Sequence, residues 1–252
     1  MSGHSKWSQI KRQKGVADAR RGQLFTKLTR EIMVAVREGG SNPEGNFRLR
    51  LAIQKARDNN MPLDNIERAI KKGSGETGGV HLAEMVLEGY GPGGTAILAQ
   101  ALSDNRNRTL QEVRHIFSRH GGNLGESGCV AWLFNSRGVI TVETDDGIDA
   151  EELALQAIDA GAEDVKIEKT YVEIYTRPEA MEKVREVLGR NDIPIASAEL
   201  SMVPKTTVEL DEKAAMQALK LLDRLEELDE MQRVSTNADF SDAILEKYQA
   251  QS

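Results

Sequence analysis

Apolar positions recur at helical intervals through residues 16–38. Leu24, Leu28, Ile32 and Ala35 share one face, flanked by Phe25 and Val36. Gly39-Gly40 predicts a stop and Ser41-Asn42-Pro43 a turn. A second helix is predicted over 44–59, where Leu49, Ala52, Ile53 and Ala56 keep the i, i+3, i+4, i+7 spacing. Pro62 suits a first helical position, and Leu63, Ile66 and Ile70 stripe a third helix that Gly73 ends. Residues 2–15 show no sustained apolar period and read as an arm.

After Ser74-Gly75-Glu76-Thr77-Gly78-Gly79, a linker by composition, the period changes. Residues 85–88 and 95–102 read as strands joined by a glycine-rich loop, and 105–120 as a helix with Leu110, Val113 and Phe117 inward. Cys129-Val130-Ala131-Trp132-Leu133-Phe134 is a continuous apolar run, read as a buried strand. Residues 138–203 then follow a strand-helix-strand-strand-helix-strand order, the ferredoxin-like pattern. A helix over 211–228 and a strand over 231–236 complete the elements flanking that unit, which gives the same element count in a shifted order. The expected fold class is therefore α+β with three domains: a basic three-helix N-terminal domain and two ferredoxin-like α/β domains, the last inserted in the middle one. The expected boundaries are 1–78, then 79–137 with 204–239, then 138–203 as the insertion, and a tail, 240–252, with at most a short helix.

Charge sharpens this division. The 252 residues carry a net charge of −7, but residues 1–72 are net +9, residues 73–137 net −1 and residues 138–252 net −15. One end of the chain suits a polyanion and the other repels it. The single cysteine, Cys129, excludes an internal disulfide framework and any multi-thiolate zinc site. It lies in the apolar run and reads as a small core residue. No apolar run approaches the roughly 20 residues of a membrane span, and the basic start has no apolar stretch behind it. A cytoplasmic protein without a membrane partner is expected.

Little in the sequence supports ordinary enzyme chemistry. Gly89-Tyr90-Gly91-Pro92-Gly93-Gly94 spells a dinucleotide-binding glycine pattern, but a β-type segment follows where a phosphate-capping helix is required, and Pro92 removes one N–H. It reads instead as a long hairpin loop whose bare backbone another backbone can approach closely. His4, His81, His115 and His120 have no metal-ligand spacing, so neither a metal nor a cofactor is expected.

Two segments carry candidate chemistry. In the arm, His4, Lys6, Trp7, Lys11, Arg12 and Lys14 interleave positive charge with one large aromatic. Trp7 either stacks on a base or docks on the first helix. Ser103-Asp104-Asn105-Arg106-Asn107-Arg108-Thr109 opens a helix, with Ser103 or Asp104 as the expected cap. Arg106 and Arg108 sit in the first turn, where the helix dipole disfavours cations unless an anion is near. Either Asp104, Glu112 or a carboxylate of the acidic domain supplies that charge, or a phosphate does. Arg20, Arg21, Lys27, Arg30 and Arg37 on the first helix and Arg68, Lys71 and Lys72 on the third complete the candidate nucleic-acid contacts, with Asn105 to Arg108.

Met-Ser-Gly-His-Ser-Lys-Trp at 1–7, Gly-Tyr-Gly-Pro-Gly-Gly-Thr-Ala at 89–96, Ser-Asp-Asn-Arg-Asn-Arg-Thr at 103–109 and Gly-Gly-Asn-Leu-Gly at 121–125 closely resemble the YebC/PmpR family. That family includes the mitochondrial translational activator of cytochrome c oxidase subunit I. The resemblance spans residue 2 to about residue 239 and implies a helical N-terminal domain followed by two α/β domains. It also implies a nucleic-acid partner. Bacterial members are generally labelled DNA-binding transcriptional regulators, and other members look like translation factors acting on the ribosome.

The expectation from these readings is a non-enzymatic, nucleic-acid-binding regulator of gene expression. Ribosomal RNA or tRNA, with ribosomal proteins beside it, is favoured over promoter DNA, because the basic helix faces carry Lys and Arg, which contact phosphates, rather than a base-reading strip. No small-molecule substrate is expected. The alternative is a protein-interaction adaptor that uses the acidic C-terminal half.

Overall fold

In the computed structural model the backbone is described for residues 18–75, 81–144 and 147–251, and side chains from residue 21 onward. The chain divides into two compact units, residues 134–205 and the remainder.

Among the described residues the first unit begins with three helices, α1 (Asp18–Gly39), α2 (Phe47–Asp58) and α3 (Leu63–Gly73). Their apolar stripes meet in one core: Leu28, Ile32 and Val36 of α1 pack with Leu49, Ile53 and Ala56 of α2 and Ile66 and Ala69 of α3. The start of α2 falls three residues later than the periodicity suggests because Asn46 is the stronger cap. Its Oδ1 accepts from the Leu49 N–H at 3.0 Å, and its Nδ2 donates to the carbonyls of Ala35 and Gly40 at 2.7 and 2.8 Å. This buried side chain thus fixes the α1–α2 corner.

The same unit continues as a sheet with helices on one face. Strands β1 (Ala83–Tyr90) and β2 (Ala96–Ser103) form a hairpin, followed by α4 (Arg106–Arg119) and the short β3 (Asn123–Leu124). The inserted unit, β4 (Phe134–Glu143) to β7 (Ile195–Pro204), then intervenes. Afterwards come β8 (Val208–Glu209), α7 (Glu212–Glu226), β9 (Met231–Thr236), β10 (Ala238–Asp239) and α8 (Asp242–Gln251). The main sheet has the order β3-β1-β2-β9, antiparallel throughout. Met85, Leu87, Ile97 and Ala99 point from it into a core shared with Val113 and Phe117 of α4, Leu219 and Leu222 of α7 and Leu245 of α8.

On the opposite face, Leu102 meets Met33 and Val34 of α1 together with Leu82. Polar contacts reinforce that seam: Arg30 donates to the Leu102 carbonyl at 2.9 Å, Gln23 donates to the Glu227 carbonyl at 2.7 Å, and Arg48 pairs with Glu84. The three helices and the sheet therefore form one compact body despite the linker-like composition between them.

The second unit contains β4, α5 (Ala150–Ala160), β5 (Asp164–Ile167), β6 (Tyr171–Thr176), α6 (Met181–Arg190) and β7, with sheet order β5-β6-β4-β7. This is the ferredoxin-like order, with both strand-helix-strand crossovers stepping over a neighbour. Ile140, Val142, Val172 and Ile174 are fully buried, as are Ala157 of α5 and Val184 and Leu188 of α6. The β4–β7 ladder runs out to Phe134 opposite Pro204, so the chain enters and leaves this unit at adjacent points. That pairing is what allows it to interrupt another domain.

One expected element is absent. Residues 129–134 do not form a buried strand: they make a turn and a short 3-10 segment, Ala131–Leu133, before β4 begins at Phe134. The cause is Glu88. Its carboxylate, on a side chain only 4 % exposed, accepts from the N–H groups of Gly128, Val130 and Ala131 at 2.6–2.8 Å. Donors engaged by one carboxylate are not available to a ladder. Trp132 is consequently turned outward, 63 % exposed.

Candidate nucleic-acid interface

The cations of α1 fall into two groups. Lys27 donates to the Glu226 carbonyl, and Arg30 reaches both the Leu102 carbonyl and, at 3.7 Å, the Glu230 carboxylate. Both were expected on an open face. The structure instead turns them onto the sheet domain, because the side of α1 opposite its helical core is the side that packs on Leu102. Arg37, in the last turn, stays exposed.

Arg37 is joined by Lys72 of α3. The two line one shallow depression whose apolar floor is Met33, Val34 and Leu82. Lys71 is exposed beside Lys72 in the last turn of α3. None of the three makes an ion pair with a described residue. Arg68, one turn earlier, lies back along its own helix, bonded to Asn65 at 2.9 Å and to the Asp64 carbonyl at 3.3 Å. On α2, Arg57 is exposed and unpaired among the described residues. It was not singled out from sequence, since it lies in a stretch whose informative signal was its apolar stripe.

His4, Lys6, Trp7, Lys11, Arg12 and Lys14 lie outside the described residues, as does the side chain of Arg20. Arg21 is exposed on the first turns of α1.

At the start of α4 the cap is Asn105, one residue beyond the expected Ser103 or Asp104. Its Oδ1 accepts from the Arg108 N–H at 3.1 Å. Ser103 is displaced inward, where it accepts from the Asn105 N–H and shares a 2.8 Å hydrogen bond with Thr109. Arg108 is paired: its guanidinium lies 2.8 Å from Asp104 and 3.0 Å from Glu230. The first-turn charge that the dipole disfavours is thus met by carboxylates at Arg108. Arg106, also exposed, has no such partner among the described residues. Asn107 is exposed next to it.

The loop Gly89, Tyr90, Gly91, Pro92, Gly93 and Gly94 proves to be packed largely on its own chain. A Cβ at Gly89 would sit 2.6 Å from the Phe117 ring and 2.7 Å from the Asn123 carbonyl, so the close backbone approach it permits is to β3. At Gly93, with φ +70°, a Cβ would run into the Leu210 side chain. Gly91 and Pro92 are buried. The bare backbone expected across the loop narrows to Gly94, which has φ +75° and open space around it. Tyr90 donates to the Cys129 carbonyl at 3.0 Å, and the Trp132 indole donates to the same oxygen at 3.1 Å.

Two titrating groups border this loop. Burial works to raise the Glu88 pKa, but the N–H groups of Gly128, Val130 and Ala131 outweigh it and hold the carboxyl below its ordinary value. Burial, with the negative charges of Glu88 and Glu126, pushes the Cys129 thiol up, away from thiolate chemistry. Among the described residues no group of His, Cys, Asp and Glu is arranged to hold a metal ion, and no helix is long and apolar enough to cross a membrane.

Residues 5–76 match the family model described as the TACO1/YebC protein N-terminal domain, and residues 82–238 match the TACO1/YebC second and third domain. The chain is 62 % identical over the full length of both chains to a probable transcriptional regulatory protein of Dehalococcoides mccartyi. It is 55 % identical to one of Moorella thermoacetica, over 98 % of this chain and 99 % of that one. Among solved structures, a conserved hypothetical protein from Aquifex aeolicus matches with a TM-score of 0.82 at 50 % identity, over 89 % of this chain and 93 % of that one.

Proposed function

This chain belongs to the TACO1/YebC family, and from that premise we propose that it is a non-enzymatic regulator of gene expression that binds nucleic acid through residues 1–78. The observation that carries this reading is the placement of Arg37, Lys71 and Lys72. They come from the ends of two helices, stay exposed, make no ion pair with a described residue, and belong to a segment of net +9. Cations in that arrangement suit phosphates, which position a partner without reading its sequence. The basic arm and Arg106 extend the contact.

A ribosome-associated role in translation is favoured. The residues after 72 are net −16 and are repelled by a long duplex, whereas a ribosome presents basic protein surfaces beside ribosomal RNA and tRNA. The second reading, a DNA-binding transcriptional regulator, is favoured by the names its relatives carry. In both readings the protein works in the cytoplasm without a cofactor or small-molecule substrate.

Gradient sedimentation of cell lysate at near-physiological salt separates the two. Co-migration with ribosomal particles that survives DNase and is lost with RNase is expected. Absence from those fractions, with nanomolar preference for one promoter duplex over random duplex, reverses the choice.

A further inference from the structure

The geometry points to a second contact surface: the outward face of α4, through Asn107, Gln111 and Arg114, holds the edges of unpaired RNA bases. This rests on the RNA reading above and adds base contacts to its phosphate contacts. The inward face of α4 is settled by Thr109, Val113 and Phe117, all buried. At about 100° per residue, Asn107, Gln111 and Arg114 fall within about 60° of one another on the side away from that core. All three are exposed, and their side chains bond no described residue.

The chemistry of the strip is specific. A carboxamide donates and accepts side by side, which matches the N6 and N7 edge of adenine, and a guanidinium matches O6 and N7 of guanine. Charge complementarity points to a polyanion as the occupant. With Arg108 paired to Asp104 and Glu230, the helix still carries Arg106, Arg114 and Arg119 against a single acid of its own, Glu112, in a chain that is otherwise acidic beyond residue 72.

The neighbouring helix bears on whether the bases are paired. Val113 and Phe117 of α4 share their core with Leu219 and Leu222 of α7, so the two helices lie in one layer on the sheet. Two helices packed about 8–10 Å apart present a slab roughly 20 Å wide. The B-form major groove is only about 12 Å wide, and the A-form one is too narrow for side chains to read. A helix flanked in this way offers a broad face, which suits base edges that a strand displays outside a duplex. From Asn107 to Arg114 the strip spans about 10 Å.

The test is anisotropy titration of the full chain with fluorescent A15 and U15 RNA and with dA15, comparing the parent with Asn107→Ala/Gln111→Ala and with Lys71→Ala/Lys72→Ala. The parent is expected to bind A15 about tenfold more tightly than U15. In the Asn107/Gln111 variant that ratio falls below about twofold while the salt slope is unchanged, since no charge is removed. The Lys71/Lys72 variant weakens both RNAs alike and keeps the ratio. Salt-dependent binding of the parent without discrimination between A15 and U15 overturns the base-contact assignment and leaves the phosphate reading standing. Binding of neither RNA overturns that underlying reading as well. Binding of dA15 as tight as A15 overturns the assignment to RNA.

Discussion

The guanidinium of Arg108 lies 3.0 Å from the carboxylate of Glu230, which ties the first turn of α4 to the residue that leads into β9. Glu230 is 9 % exposed, and Arg30 of α1 approaches the same carboxylate. Three segments distant in sequence are therefore held at one acid. Arg108 is occupied by that task, whereas its neighbour Arg106 is not.

The two arginines should consequently separate under mutation. Arg108→Ala is expected to lower the Tm, because Glu230 keeps only its more distant cation. Arg106→Ala is expected to leave the Tm unchanged and to weaken RNA binding. Thermal unfolding followed by circular dichroism, together with anisotropy titration, checks both. Equal effects of the two substitutions on stability and on binding would contradict this division.

Glu88→Ala leaves three backbone donors under the 128–131 loop without their acceptor and should cost about 2–4 kcal/mol in chemical denaturation at pH 7. The pH dependence has a defined sign. The folded pKa of Glu88 is depressed, so the unfolded chain takes up its proton first as pH falls. The stabilisation is complete above the ordinary glutamate pKa of about 4.3 and is lost as pH falls through the lower folded value. The stability gap between the parent and Glu88→Gln should therefore be widest near neutrality, begin to narrow below the ordinary glutamate pKa of about 4.3 and close as pH falls through the lower folded value.

Asn46→Ala removes one cap acceptor and two donors at a buried corner, and about 2–3 kcal/mol is expected. Asn46→Asp keeps the acceptor and loses the donors. It should remain destabilised at neutral pH, with the buried carboxylate facing the carbonyls of Ala35 and Gly40. Urea unfolding of both variants distinguishes a capping role alone from the full three-bond corner.

Substituting Arg37, Lys71 and Lys72 together by Ala should reduce the slope of log affinity against log salt by about 2 for single-stranded RNA. The Tm should not change, since these side chains are exposed and lack ion pairs with described residues. An unchanged slope would place the phosphate contacts elsewhere, and the arm would then be the segment to truncate next.

Periodicity alone located the elements well where one face is apolar and the other solvated. Leu49, Ala52, Ile53 and Ala56 marked α2, and the strand-helix order of 138–203 marked the ferredoxin-like unit. The cap of α4 was displaced from Ser103 or Asp104 to Asn105 because Thr109, a partner six residues away, drew the Ser103 hydroxyl inward. The apolar run 129–134 looked like a strand because composition reports burial and not hydrogen bonding. What decided its conformation was a carboxylate 40 residues earlier.

The candidate interface was legible as composition and illegible as geometry. A net +9 over residues 1–72 and two arginines in a helical first turn can be read from the chain itself, since charge is a local property. Which of those cations remain exposed depends on which side of α1 meets the sheet, and that contact joins Met33 and Val34 to Leu102, nearly 70 positions away in the sequence. The sequence by itself determined the family pattern, the order of the amphipathic helices and longer strands, and the polarity of charge, because each is written in residue identity and spacing. Only the tertiary structure committed Lys27, Arg30 and Arg108 to intramolecular partners and left Arg37, Lys71, Lys72 and Arg106 exposed without an ion pair among described residues, because pairing is settled by residues that meet in space.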